Sequence, residues 1–154
     1  MSLPSDSLAK ALRERALRLL ARREHSRLEL EQKLLGVSND RAAVGALLDE
    51  LTSSNWLSDE RFAEQLIRSR AGRMGSRRIQ QELKQKGAPP ELISEELAAV
   101  ASGDFDTAHA LWQKKFGRKA VDEKERVRQI RFLLSRGFDY ELIRRVLRSV
   151  GDCD

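Results

Sequence analysis

The sequence predicts an all-α protein of three tandem three-helix repeats in an elongated, curved array. Three observations lead there. The packing residues are Leu, Ile, Val and Ala among abundant Arg, Glu, Lys and Gln, mostly good helix formers. Apolar residues recur at spacings of three and four, with no alternating strand pattern. The pattern of helix, glycine turn and helix repeats along the chain.

In the first repeat, residues 8–53, a helix over Leu8–Arg23 carries Leu12, Ala16, Leu19 and Leu20 on one face, with Ser5 and Asp6 as N-cap oxygens. Ser26 opens a second helix with a capping-box partner three residues on, Glu29, and an apolar stripe of Leu30 and Leu34. The stretch Gly36-Val37-Ser38-Asn39-Asp40 ends it. A third helix carries Val44, Leu47, Leu48 and Leu51, and stops at Thr52-Ser53-Ser54-Asn55.

The second repeat, residues 57–101, begins at Ser58-Asp59-Glu60, which caps a helix bearing Phe62, Ala63, Leu66 and Ile67. Gly72 and Gly75 punctuate a basic link to a helix with Ile79 and Leu83, which stops at Gly87 as a left-handed residue. Pro90 starts a helix carrying Leu92, Ile93, Leu97 and Val100. In the third repeat, residues 105–150, the apolar faces are Ala108, Leu111, Trp112 and Phe116, then Val127, Ile130, Leu133 and Leu134 up to Gly137, then Ile143, Val146, Leu147 and Val150.

The repetition is visible residue by residue. Lys86-Gly87-Ala88-Pro89-Pro90-Glu91-Leu92-Ile93 and Arg136-Gly137-Phe138-Asp139-Tyr140-Glu141-Leu142-Ile143 share a basic residue, a glycine and Glu-Leu-Ile, about 50 residues apart. Leu83 and Leu133 precede those glycines by the same step, Leu97 and Leu147 follow them, and Ser26 and Ser76 stand at the same interval. The first repeat matches less well, because its turn near Gly36 is out of register with Gly87. A three-helix unit of this size buries little surface alone and needs neighbours.

The chain has 154 residues, 34% charged, with a net charge of +5. The charge is segregated. Residues 1–59 balance, residues 60–90 carry 8 basic against 3 acidic groups, residues 91–106 are acidic, and residues 107–150 carry 12 against 5. Such segregation points to an electrostatic partner, since a merely solvated surface interleaves both signs.

Nothing in the sequence points to catalysis, a metal or a cofactor. His25 and His109 stand isolated on helices as surface or half-buried residues, and Cys153 lies beside the C-terminus. Phosphate-loop and nucleophile-elbow motifs are missing, and Gly72-Arg73-Met74-Gly75 lacks a preceding strand. No apolar run approaches the roughly 20 residues that span a bilayer. The lone cysteine and the charged N-terminus suit a cytoplasmic protein.

The candidate binding residues follow from charge. Arg68, Arg70, Arg73, Arg77 and Arg78 surround the glycine-punctuated link, and Lys84 and Lys86 continue towards the turn. Lys114, Lys115, Arg118 and Lys119 form a second cluster; Arg126, Arg128, Arg131, Arg136, Arg144, Arg145 and Arg148 form a third. Arginine dominates, and guanidinium groups make bidentate contacts to phosphate and carboxylate. The alternative is a helix-turn-helix regulator acting on duplex DNA. Glu91, Glu95 and Glu96 argue against the middle repeat as a reader, because they would be repelled by phosphate; the last helix suits that role only weakly.

In order along the chain, Ser26-Arg-Leu-Glu-Leu-Glu-Gln-Lys-Leu, Leu57-Ser-Asp-Glu-Arg-Phe-Ala, Arg77-Arg-Ile-Gln-Gln-Glu-Leu-Lys-Gln-Lys-Gly and Phe132-Leu-Leu-Ser-Arg-Gly-Phe resemble the RecX family of RecA regulators. The resemblance runs from about Ala11 to Val150, and Asp59–Ala63 and Arg136–Phe138 are its most specific parts. Ala88 departs from it, standing where a larger aliphatic is usual, and the N-terminal extension is short. The resemblance implies three tandem three-helix modules. It also implies binding in the groove of the RecA–single-stranded-DNA filament, limiting filament growth, ATP hydrolysis and strand exchange, within homologous recombination, DNA repair and the SOS response; separately, a monomer is expected. It assigns no individual contact residue.

Overall fold

The computed structural model describes residues 3–151, with side chains from residue 6; Cys153 lies outside the described residues. Among these it has nine α-helices, one 3-10 helix and no strand. They are α1 (Leu3–Arg22), α2 (Arg27–Leu35), α3 (Arg41–Ser53), α4 (Asp59–Arg70), α5 (Ser76–Gln85), α6 (Ser94–Ser102), α7 (Asp104–Lys115), α8 (Glu123–Ser135) and α9 (Tyr140–Ser149), with the 3-10 turn Pro90–Ile93 leading into α6.

Backbone contacts divide the chain into two compact units. The first comprises Met1–Gln65 and Leu83–Leu92, the second Leu66–Glu82 and Ile93–Asp154. The boundary therefore runs through the middle repeat rather than beside it.

In the first unit, α1, α2 and α3 pack on one another around Leu12, Ala16, Leu19, Leu30, Leu34, Val44, Leu48 and Leu51. Each stripe sits on one helical face, so the three helices bury their leucines together. The capping box forms as the sequence predicts: the Glu29 N–H donates to Ser26 Oγ at 3.1 Å and the Ser26 N–H donates to Glu29 Oε1 at 3.2 Å. Asp40 caps α3 through the Ala43 N–H, and Ser58 accepts from the Arg61 N–H ahead of α4. In the second unit, α7, α8 and α9 enclose Ala108, Trp112, Leu133, Phe138, Ile143, Val146 and Leu147.

Several expectations are corrected. The first helix begins at Leu3, so Asp6 lies inside its first turn instead of capping it; the side chain of Ser5 lies outside the described ones. Leu92, Val127 and Leu134 are exposed, while Gln129 takes a buried place on α8. Their periodic spacing made a stripe, but the neighbouring helices cover a narrower strip of that face. Leu97 and Val100 are only half-buried, and α6 has no buried residue. His25 is neither on a helix nor at the surface: it is buried in the link between α1 and α2.

The 50-residue repeat has a structural cause. Gly87 takes φ +79° and Gly137 φ +95°, and each ends its helix with the same hydrogen bonds: Ala88 N–H to the Leu83 carbonyl, Phe138 N–H to the Leu133 carbonyl. Each glycine then presses on the second helix of the preceding module. A β-carbon at Gly87 would lie 2.9 Å from Leu28 Cβ, and one at Gly137 would lie 2.4 Å from Arg78 Cβ. Leu28 and Arg78 are themselves 50 residues apart, so one junction is built twice. An aspartate completes both. Asp59 accepts from the Arg27 N–H at 2.8 Å, and Asp104 accepts from the Ser76 N–H at 3.1 Å and its hydroxyl at 2.6 Å. Gly36 is right-handed and, within 4 Å, its added β-carbon would meet only carbonyls of α2.

Candidate partner interface

Charge divides with the units. The first holds 12 basic and 12 acidic residues; the second holds 17 against 12, and so the whole net charge of +5. Of the candidate cations, only Lys84 and Lys86 fall in the first unit.

Within the second unit the fold joins the basic link to the basic turn. The Gly75 N–H donates to the Arg136 carbonyl at 2.7 Å, and Arg136 Nη1 donates to the Arg73 carbonyl at 3.1 Å. Arg78 Nη1 donates to the Ser135 carbonyl at 2.5 Å. Two clusters about 60 residues apart in sequence thus meet.

The candidate cations fall into two groups. Some have work inside the protein. Arg70 forms a two-point pair with Glu82, at 3.1 and 2.8 Å, which raises its pKa. Lys86 stands 3.6 Å from Glu29. Arg144 is 3.6 Å from Glu141 and lies over Tyr140; Arg145 lies over Phe105 at 5.7 Å. Arg136 and Lys115 flank Phe132 at 5.0 and 5.7 Å. Arg126 is half-buried and engaged. The side chains of Arg68, Arg73, Arg77, Lys84, Lys114, Arg118, Lys119, Arg131 and Arg148 are exposed and make no hydrogen bond, ion pair or ring contact among the described residues. These are the cations free to meet a partner.

The aromatic fringe is absent from the charge-based reading. Phe116 and Phe132 form an edge-on pair at 5.5 Å, with Arg128 5.8 Å from the Phe116 ring. Half-buried phenylalanines beside cations hold guanidinium groups in place. Gln129 is the other omission. Its Oε1 accepts from Trp112 Nε1 at 2.9 Å and its Nε2 donates to the Arg118 carbonyl at 3.1 Å, tying the basic loop after α7 to the core. A polar residue at an apolar stripe position was the only signal available for it.

The histidines have structural surroundings. His25 Nδ1–H donates to the Arg23 carbonyl at 3.1 Å, and Lys33 Nζ lies 2.9 Å from its Nε2. Burial lowers its pKa, and the adjacent Arg23 and Lys33 charges lower it further. Beside it, burial would raise the pKa of Glu29, but hydrogen bonds from Arg23 and the Ser26 backbone outweigh that and hold it at about 2. His109 is half-buried with its ring 6.1 Å from that of Trp112. Among the described residues, no three His, Cys, Asp or Glu converge as metal ligands, and no helix is long and apolar enough to cross a membrane.

Comparison with known proteins is decisive about kinship. Family models for the first, second and third three-helix domains of RecX match residues 13–51, 58–97 and 103–147. Regulatory protein RecX of Ralstonia pickettii is 44% identical over 152 residues, covering 99% of this chain and 94% of that one. The chain belongs to the RecX family. Regulatory protein RecX of Chromobacterium violaceum is 43% identical over 145 residues, covering 94% of each chain. Two solved RecX structures share the fold. RecX from Lactobacillus salivarius superposes with a TM-score of 0.77 at 17% identity, covering 94% of this chain and 97% of its own. A second, titled regulatory protein RecX, gives 0.80 at 19% identity, over 94% of this chain and 75% of its own.

Proposed function

We propose that this RecX-family protein acts on the RecA recombinase. In this reading it binds the RecA–single-stranded-DNA filament in its groove and limits filament growth, ATP hydrolysis and strand exchange. The observation that carries the proposal is the concentration of the entire net charge in the second unit, in a chain of a regulatory family. Free arginines and lysines there supply the donors that an acidic nucleoprotein surface requires. The protein acts by binding, as a cytoplasmic monomer without cofactor.

The test is a titration of RecA's DNA-dependent ATPase activity, with and without excess DNA. A filament modulator inhibits at or below equal ratio to RecA, and excess DNA does not relieve it. Inhibition only at DNA-coating amounts, relieved by added DNA, would reduce the activity to nonspecific DNA binding. Unchanged ATPase with protection of one duplex site would instead favour a helix-turn-helix regulator. The acidic groups on and before α6, Glu91, Glu95 and Glu96, are exposed and oppose that second reading.

A further inference from the structure

Where the basic link crosses the turn at Gly137, Arg78 and Arg136 are anchored across it, and Arg73 in the link and Arg77 next to Arg78 on α5 bring the arginines there to four. The approach is close enough that a β-carbon at Gly75 would stand 2.4 Å from the Gly137 carbonyl oxygen. Two of the four are tied down. Arg136 is held by the Arg73 carbonyl and the Phe132 ring, and Arg78 by the Ser135 carbonyl. The side chains of Arg73 and Arg77 are exposed and make no hydrogen bond, ion pair or ring contact among the described residues.

Among the described residues, no carboxylate pairs with any of the four. Some arginines elsewhere are compensated: Arg13 with Glu50, Arg23 with Glu29, Arg27 with Asp49, Arg61 with Glu24 and Arg70 with Glu82. The acids beside the crossing are engaged elsewhere: Glu82, one turn along α5 from Arg78, pairs with Arg70, and two aspartates serve as caps. Asp104 is buried and accepts from Ser76, while Asp139 accepts from the Leu142 N–H. Like charges held together by backbone contacts repel unless anions arrive between them.

We infer that this crossing is a phosphate site, where neighbouring phosphates of a single-stranded nucleic acid sit on Arg73 and Arg77. Arg78 and Arg136 supply guanidinium planes already fixed by carbonyls, so less side-chain freedom is lost when an anion binds. Each still has unused N–H donors, because each hydrogen-bonds through only one nitrogen. A nucleic-acid strand delivers several contiguous anions to such a cluster. The inference rests on the proposed nucleoprotein partner and assigns the nucleic-acid part of that contact to one place.

The test uses the full chain without RecA and a labelled oligothymidylate, with binding followed by anisotropy across a salt series. Substituting Arg73→Gln and Arg77→Gln together removes two phosphate contacts and should shallow the log–log salt slope by about 1.4. Helical content and melting temperature should stay unchanged, since both side chains are exposed. The control Lys10→Gln with Arg41→Gln, two exposed cations of the first unit, should keep the wild-type slope. An unchanged slope in the Arg73/Arg77 variant, or no oligothymidylate binding by the wild type, overturns the site. If that variant keeps oligothymidylate binding but loses RecA inhibition, the cluster meets protein carboxylates; the inference falls and the proposed function stands. If the variant loses oligothymidylate binding while the wild type never inhibits RecA, the phosphate site stands and the proposed function falls.

Discussion

Gly137 rests against Arg78, so close that a β-carbon on the glycine would come within 2.4 Å of Arg78 Cβ and 2.9 Å of its backbone nitrogen. The neighbour is backbone and Cβ, which cannot swing aside. The glycine also holds a positive φ that side chains resist. Gly137→Ala should therefore destabilise the protein by about 2 kcal/mol or more in chemical denaturation, through strain and overpacking together. Gly36→Ala, at a right-handed position, should stay within about 0.5 kcal/mol of wild type. Equal effects at both positions would contradict the docking role of the turn.

Asp104 reaches out of its own helix to cap α5. Asp104→Ala strands the Ser76 N–H and should cost about 1–2 kcal/mol, whereas Asp104→Asn keeps one acceptor and should cost less. Burial raises the Asp104 pKa despite the bonds from Ser76, so charging it disfavours the folded state. Its contribution to stability falls as pH rises from the ordinary aspartate value through the raised folded one. In Asp104→Asn that part of the pH dependence should vanish, which acid-range denaturation curves would show.

The other acid response has the opposite sign. Glu29 is depressed to about 2 in the folded chain, so its contribution is complete above its ordinary value of 4.5 and is lost as pH falls through 2. The size is at most about 3 kcal/mol. His25 is buried and its pKa is lowered from 6.5, so the unfolded chain binds its proton first as pH drops. Stability should begin to decline below 6.5, before Glu29 titrates. Replacing His25 with Gln should remove the early decline and leave the later one; a melting series from pH 7 to 3 separates them.

Trp112 Nε1 and the Arg118 carbonyl share one partner, Gln129. Gln129→Leu leaves both groups without it in a largely apolar surrounding, a loss of about 1–3 kcal/mol. The protein has two tryptophans; Trp56 is exposed and Trp112 buried, so a red shift in emission would report the loosened core directly. An unshifted spectrum with wild-type stability would show that the Gln129 bridge is dispensable.

Arg148 is the free cation of the last helix, while Arg144 and Arg145 lie over aromatic rings. Charge reversal Arg148→Glu should weaken RecA inhibition with helicity intact. Reversal of all three should weaken it further and also loosen Phe105, visible as a lower melting temperature. Full inhibition by the triple variant would exclude that face from the contact.

Much of this was written locally in the sequence. Helices, the Ser26–Glu29 box and the two left-handed glycines depend on residues three to five positions apart, where spacing alone decides the geometry. The repeat, too, was legible as a pattern of identical residues. Its meaning was not: Gly87 meets Leu28 and Gly137 meets Arg78, and contacts at that separation depend on how helices pack. Packing likewise buried His25, exposed Leu92 and sent Asp59 and Asp104 to cap distant helices. The sequence by itself determined that the chain is helical, repetitive and unevenly basic. Only the tertiary structure decided which arginines are held by carboxylates, carbonyls and rings and which are left free, because a charge is neutralised by whatever lies near it in space.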